Sequence, residues 1–200
     1  FIVILDDKQV GGEYDEIEFV NISPDSNRIV YTARKGWEWM LVEDGKEGPS
    51  NELMAFPAFS PDSKRLAYMV QKQGKGYMVV DGQESKAYER VLIPIFSPDS
   101  KRLAFLAKKE DSWVVVLDGK EGSGYESVAH PTFSPDSKHL AHIARKDEQW
   151  FVNVDGTEGK ERYLGFIKDS TLVFSTGDEF HALALLPGPN FVRLDVKIGK

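Results

Sequence analysis

Two series of aspartates are the first residues in this 200-residue chain that could do chemistry: Asp25, Asp62, Asp99 and Asp136, and Asp44, Asp81, Asp118 and Asp155. Paired carboxylates carry out glycoside hydrolysis, and clusters of them hold Ca²⁺ through hard oxygen ligands. Four histidines, His130, His139, His142 and His181, add possible general bases and metal ligands. Lys35, Lys72, Lys109 and Lys146 form a set of cations, and Trp39, Trp113 and Trp150 a set of aromatics. Each of these chemistries needs its groups brought together by the fold, so the elements that carry them decide which reading survives.

Those elements repeat. Ser-Pro-Asp-Ser begins at Ser23, Ser60, Ser97 and Ser134, at intervals of 37 residues, and an Asp-Gly pair follows at Asp44, Asp81, Asp118 and Asp155 with the same interval. Stepping back once more reaches Asp7. Both aspartate series therefore recur in every copy. A catalytic pair is expected once, whereas a turn former is expected every time, so the aspartates read as turn residues. The histidines yield to the same comparison. His139 takes the place of Arg28, Arg65 and Arg102; His142 that of Tyr31, Tyr68 and Phe105; and His130 that of Phe19, Phe56 and Ile93. His181 lies outside the regular copies and stays unassigned. Neither a Gly-x-Ser-x-Gly elbow, nor His-Glu-x-x-His, nor a phosphate-cradling glycine loop occurs. The sequence thus predicts no catalytic residues, no metal site and no cofactor.

One period reads as four short strands. Phe56 to Phe59 leads into a Ser-Pro-Asp turn, where proline pre-sets the backbone and the aspartate accepts a nearby N–H. Arg65 to Val70 is a second strand, Trp113 to Leu117 or Trp150 to Val154 a third, and Asp-Gly closes it in a tight hairpin. A short fourth strand is expected to carry Tyr14, Tyr88 or Tyr125. Both faces of the second strand are apolar, Leu66, Tyr68 and Val70 against Ala67 and Met69, so one sheet cannot cover itself. Sheets of this kind stack radially as a propeller. The chain holds roughly 5.4 periods, which favours five blades, with six as the alternative. The repeats run 1–17 (partial), 18–54, 55–91, 92–128, 129–165 and 166–200 (degenerate), all within one domain. Two endings are open: the terminal half-repeat joins Leu164 to Ser175 and closes the ring, with Phe180 to Leu186 and Phe191 to Ile198 as an extra hairpin, or these two segments compete for the same places.

Composition excludes several partners. The formal charge is −7 with no dense basic block, which disfavours nucleic acid and anionic membrane surfaces. No apolar run approaches the roughly 20 residues of a membrane span, and the absence of cysteine excludes disulfides and thiolate chemistry. The chain begins at Phe1, inside a repeat, so any targeting peptide would lie upstream.

Phe-Ser-Pro-Asp-Ser-Lys-Arg-Leu-Ala, followed by aromatic-Val-x-Val-Asp-Gly, resembles the WD-like propeller repeat of the TolB type, with Ser in place of the usual Gly after Asp. The resemblance covers nearly the whole chain. It implies a periplasmic or extracellular bacterial protein, monomeric, that holds another protein. Alternatives are a non-catalytic propeller domain of a prolyl oligopeptidase-type peptidase and a glycan-binding propeller. Within such a fold Lys35, Lys72, Lys109 and Lys146 would occupy the loops between second and third strands on one face, opposite the Ser-Pro-Asp and Asp-Gly turns. With Trp39, Trp113 and Trp150 heading the third strands beside them, these are the candidate binding residues. If the lysines hold an acidic partner, reversing two of the four charges weakens binding and flattens its salt dependence; unchanged affinity ends that reading.

Overall fold

The computed structural model describes residues 1–167, 172–186 and 190–199, and all regular elements among them are β-strands. They fall into two compact units, residues 1–94 and 95–200. Unit 1 opens with a hairpin of β1 (Val3–Leu5) and β2 (Lys8–Val10). Its first four-stranded sheet is β3 (Glu16–Ile22), β4 (Ile29–Lys35), β5 (Glu38–Glu43) and β6 (Lys46–Glu47). Its second is β7 (Leu53–Phe59), β8 (Leu66–Lys72), β9 (Lys75–Val80) and β10 (Gln83–Glu84), followed by the short β11 (Arg90–Val91). Unit 2 repeats the plan with β12 (Ile95–Phe96), β13 (Leu103–Lys109), β14 (Ser112–Leu117) and β15 (Lys120–Glu121), then with β16 (Ser127–Phe133), β17 (Leu140–Lys146), β18 (Gln149–Val154) and β19 (Thr157–Glu158). The last sheet is β20 (Gly165–Phe166), β21 (Val173–Phe174), β22 (Glu179–Leu185) and β23 (Phe191–Lys197). The strands of each hairpin run antiparallel, and the described residues form five blades and one two-stranded hairpin.

Two details differ from the sequence reading. The fourth strands are only two residues long, and Tyr88, Tyr125 and Tyr163 lie beyond them, each returning to make one bridge with the start of the third strand. The last blade is built within unit 2: β22 and β23 take the second and third places, and β20 and β21 pair with the two ends of β22 as a split first strand. The segment Phe166 to Ser170 begins in β20, and its residues 168–170 lie outside the described residues.

The core lies between sheets, as two-faced apolar strands require. On β4, Ile29, Tyr31 and Ala33 face the N-terminal hairpin, where they meet Tyr14, Val3 and Val10. Val30, on the opposite face, packs with Leu41 against Met54, Leu66, Val70 and Val79 of the second blade. Fully burying a side chain such as Val30 is worth about 2 kcal/mol. In unit 2, Ala141, Ile143 and Val152 pack in the same way against Leu172, Phe180 and Ala182 of the last blade.

The repeated turns fasten the blades. The Ser60 hydroxyl donates to Asp62 at 2.6 Å and accepts the Arg65 backbone N–H at 3.0 Å, and the groups at Ser23, Ser97 and Ser134 do the same. The Asp-Gly aspartates are clamps: Asp44, Asp81, Asp118 and Asp155 each accept the first N–H of the second strand at 2.8–3.0 Å. Asp and Gly both sit at positive φ in these hairpins, the type I′ pattern. The serine that follows the aspartate in each of these turns also takes a left-handed φ, 62–64° at Ser26, Ser63, Ser100 and Ser137. That conformation is unfavourable for a residue with a Cβ. At Ser63 and Ser137 the hydroxyl offsets it by reaching the preceding blade, accepting the N–H of Asp25 at 3.0 Å and of Asp99 at 2.9 Å. Arg28 and Arg102 add to the same seams, each stacking on a phenylalanine of the following blade, Phe59 at 4.7 Å and Phe133 at 5.7 Å.

Replacing Ser63 separates these effects. Ser63→Ala keeps the strained φ and loses the inter-blade bond, so denaturant unfolding should show a loss of about 1–2 kcal/mol, whereas Ser63→Gly, which relieves the strain, should lose less. Acid should act on the same turns. The Ser23 hydroxyl, helped by Asn27, holds the Asp25 carboxyl down to about 2, and Ser97 and Ser134 lower Asp99 and Asp136 likewise. A carboxyl depressed by folding adds stability above its unfolded value and loses it as pH falls through its folded value. The stability difference between the protein and Asp25→Asn should therefore be constant above about pH 5 and vanish between about pH 4 and 2.

Candidate binding face

The turns joining second to third strands carry the lysines and tryptophans. In unit 1, Gly36 takes φ +62°, and the next residue, Trp37, keeps an ordinary negative φ, the requirement of a type II′ turn with Gly first. In the next blade Gln73 and Gly74 both have positive φ, a type I′ turn.

Each lysine ends a second strand and meets a glutamate of the fourth strand in its own blade. Lys35 reaches Glu47 at 2.6 Å, Lys72 pairs with Glu84, Lys109 lies 3.6 Å from Glu121 and Lys146 3.5 Å from Glu158. The glutamates recur at the same 37-residue interval as the lysines. The hydrogen bond from Lys35 lowers the Glu47 carboxyl, and the same bond raises the Lys35 ammonium. These pairs are solvent-exposed and weak individually, but they give each lysine a counter-ion within the chain, which reduces the free positive charge that an acidic partner would meet.

Trp39, Trp113 and Trp150 are half-buried at the heads of the third strands. Each exchanges two backbone hydrogen bonds with the residue that closes the blade, respectively Asn51, Tyr125 and Tyr163, at 2.7–3.0 Å. Trp39 packs on the cluster between the two blades of unit 1, and Trp150 on the cluster between the last two blades. The indoles of Trp39 and Trp150 thus join sheets.

The residue that stands clear is Trp37, 94% exposed. Its counterparts one, two and three periods on are Gly74, Asp111 and Glu148, so the departure is present in the sequence, although the repeated series draw the eye away from it. Trp37 borders a shallow groove of about 430 Å³ with Glu38, Glu52 and Lys72. The Glu52 carboxylate forms part of its wall by accepting the Gln73 N–H at 2.6 Å and the Gly74 N–H at 3.2 Å. An exposed indole beside carboxylates can insert into an apolar pocket of a partner whose rim is basic.

The histidines are dispersed. His139 takes the arginine's place beside the Asp-Gly aspartate, its Nδ1 lying 2.5 Å from Asp155. His130 occupies the β16 bulge at φ 52°, as Phe19 and Phe56 occupy theirs. His181 lies on β22 opposite Asp195, and His142 is buried on β17. Among the described residues no three His, Asp or Glu side chains are grouped so as to hold a metal ion, and no helix is long and apolar enough to cross a membrane.

No protein-family model and no curated protein sequence matches the chain. Solved structures do. TolB from Acinetobacter baumannii aligns over 96% of this chain and 57% of its own, at 17% identity and a TM-score of 0.51. The β-propeller domain of the Trilobed protease from Pyrococcus furiosus aligns over 94% and 70%, at 12% identity and a TM-score of 0.61. The Pyrococcus horikoshii acylaminoacyl peptidase aligns over 91% and 39%, at 14% identity and a TM-score of 0.53. The chain thus spans a little over half of the TolB structure. At these identities the likeness establishes the fold, a β-propeller architecture shared by TolB and by peptidase propellers.

Proposed function

We propose that this chain is a non-enzymatic, TolB-like propeller that serves as a protein-binding scaffold and engages its partner through the turn that presents Trp37. The observation that carries this reading is a nearly fully exposed tryptophan at a turn whose three counterparts hold Gly, Asp and Glu. Tryptophan is, with tyrosine and arginine, among the residue types enriched in interface hot spots. Glu38 and Glu52 beside it select a partner with basic residues around an apolar pocket. The four lysines contribute register more than charge, since each is paired with glutamate. A periplasmic or extracellular setting accompanies the TolB-like reading. A glycan-binding role has less support, because Trp39 and Trp150 pack between sheets and offer no repeated stacking platform.

A second reading, a non-catalytic propeller domain within a larger peptidase, is favoured by the TM-scores of 0.53–0.61 to peptidase structures. An α/β-hydrolase segment in the flanking gene sequence would select it.

The test is Trp37→Ala. Its thermal and denaturant stability should stay within about 0.5 kcal/mol of the parent. A protein retained from bacterial periplasmic extract by the immobilised parent should bind the variant at least about tenfold more weakly. Equal retention of the same proteins by both would overturn the assignment of this face.

A further inference from the structure

The largest departure from the repeat inside the molecule is a pair of polar residues buried between the first two blades of unit 2. His142 on β17 and Asn153 on β18 are cross-strand partners on one face. Their counterparts are Tyr31, Tyr68 and Phe105 for the histidine, and Val42, Val79 and Val116 for the asparagine. Asn153 is fully buried and satisfied: its amide donates to the Tyr125 hydroxyl at 2.9 Å and its carbonyl accepts the Gly156 N–H at 2.9 Å. His142 is 6% exposed, and among the described residues neither of its ring nitrogens has a hydrogen-bond partner. A buried polar group without a partner is rare in folded proteins and unfavourable.

His142 opens onto a cavity of about 470 Å³ lined by the apolar Val115, Leu117 and Leu140, by Tyr125 and Asn153, and by charged side chains that include Arg102, Asp118 and Lys138. The first blade of unit 1 shows what fills this place elsewhere. There the Tyr31 ring meets Tyr14 edge-on at 5.9 Å, and its hydroxyl donates to the Val10 carbonyl at 2.7 Å. It lies so close to Gly11 that a Cβ on that glycine would fall 2.2 Å from the phenol oxygen. Three periods on, Val10, Gly11 and Tyr14 correspond to Glu121, Gly122 and Tyr125, all of which line the cavity. The slot that a tyrosine side chain fills in one blade is bordered in the other by a shorter imidazole.

We propose that this slot binds a phenolic ring, supplied either by a free phenol or by a tyrosine side chain of a peptide, with His142 as its hydrogen-bonding partner. A cavity of about 150 Å³ already accommodates a benzene ring, so the slot has room for a phenol and the chain that bears it. Burial holds the His142 imidazole down to about 4. At neutral pH it therefore offers one N–H and one bare nitrogen, matched to a hydroxyl that both donates and accepts. Val115, Leu117 and Leu140 take the ring face, and His142 with Tyr125 fixes its orientation. This inference does not depend on the Trp37 face.

Titration with p-cresol, N-acetyl-tyrosinamide and N-acetyl-phenylalaninamide, followed by the imidazole resonances of His142, tests it. The two phenols should bind saturably, with a dissociation constant on the order of 1 mM or tighter, and the phenylalanine analogue at least about fivefold more weakly. Tighter binding of N-acetyl-tyrosinamide than of p-cresol would identify a peptide source, and the reverse a free phenol. His142→Tyr, which installs the residue of the first two blades, should fold at least as stably as the parent and lose binding by at least about tenfold. Asn153→Val, which removes the amide that holds Tyr125, provides a second variant and should weaken binding with His142 intact. Absence of saturable binding, equal binding of the phenylalanine analogue, or undiminished binding to His142→Tyr would overturn the proposal.

Discussion

A second strand that is apolar on both faces has nowhere to put one of them within its own sheet. Val30 and Tyr31 are adjacent residues, both inaccessible to solvent, and they are buried against different neighbours. This constraint makes every blade depend on what stands beside it, and the rest of the architecture serves it. The N-terminal hairpin covers the first blade with Val3 and Val10, and the last blade covers the fourth with Phe180 and Ala182. Stability in such arrays is a sum of unit terms and nearest-neighbour terms. Polar groups follow the apolar ones across the seams: the serine hydroxyls at Ser63 and Ser137, and the guanidinium groups of Arg28 and Arg102, reach from one blade to the next.

Much of this was legible in the residues. The 37-residue interval, the turn chemistry of Ser-Pro-Asp and Asp-Gly, and the two-faced strand are local signals, and local signals specify local structure. The ends were harder to read, because the last blade departs from the interval: its first strand is split into β20 and β21, and periodicity carries no information about a place where the period fails. The tetrapeptide's fourth serine reads from sequence as a minor change of turn, since its contact lies 38 residues away on another sheet.

The candidate site was legible in a different sense. The lysine and tryptophan series were visible because they recur, yet recurrence is the property of residues that build the scaffold. Lys35 has its Glu47 and Trp39 its Asn51 in a bond pattern that the other blades copy. Residues that distinguish one blade from another are the ones free to serve recognition. Trp37 was such a residue in plain view. His142 and Asn153 needed the strand register as well, because nothing in the linear order says that positions 142 and 153 face each other.

That cross-strand pair also bears on how the chain avoids pairing with itself wrongly. Neighbouring near-identical modules are prone to strand exchange while they fold. A strand of the third blade inserted in place of β17 would satisfy the repeated serine and aspartate clamps, but it would set Phe105 against Asn153. Phe105 carries neither a hydroxyl nor a ring nitrogen to offer the polar side of that slot, and in the third blade a buried imidazole would sit on Val116. One blade marked by a histidine and an asparagine thus gives a chain of look-alike parts an internal address, and it discourages assembly out of order.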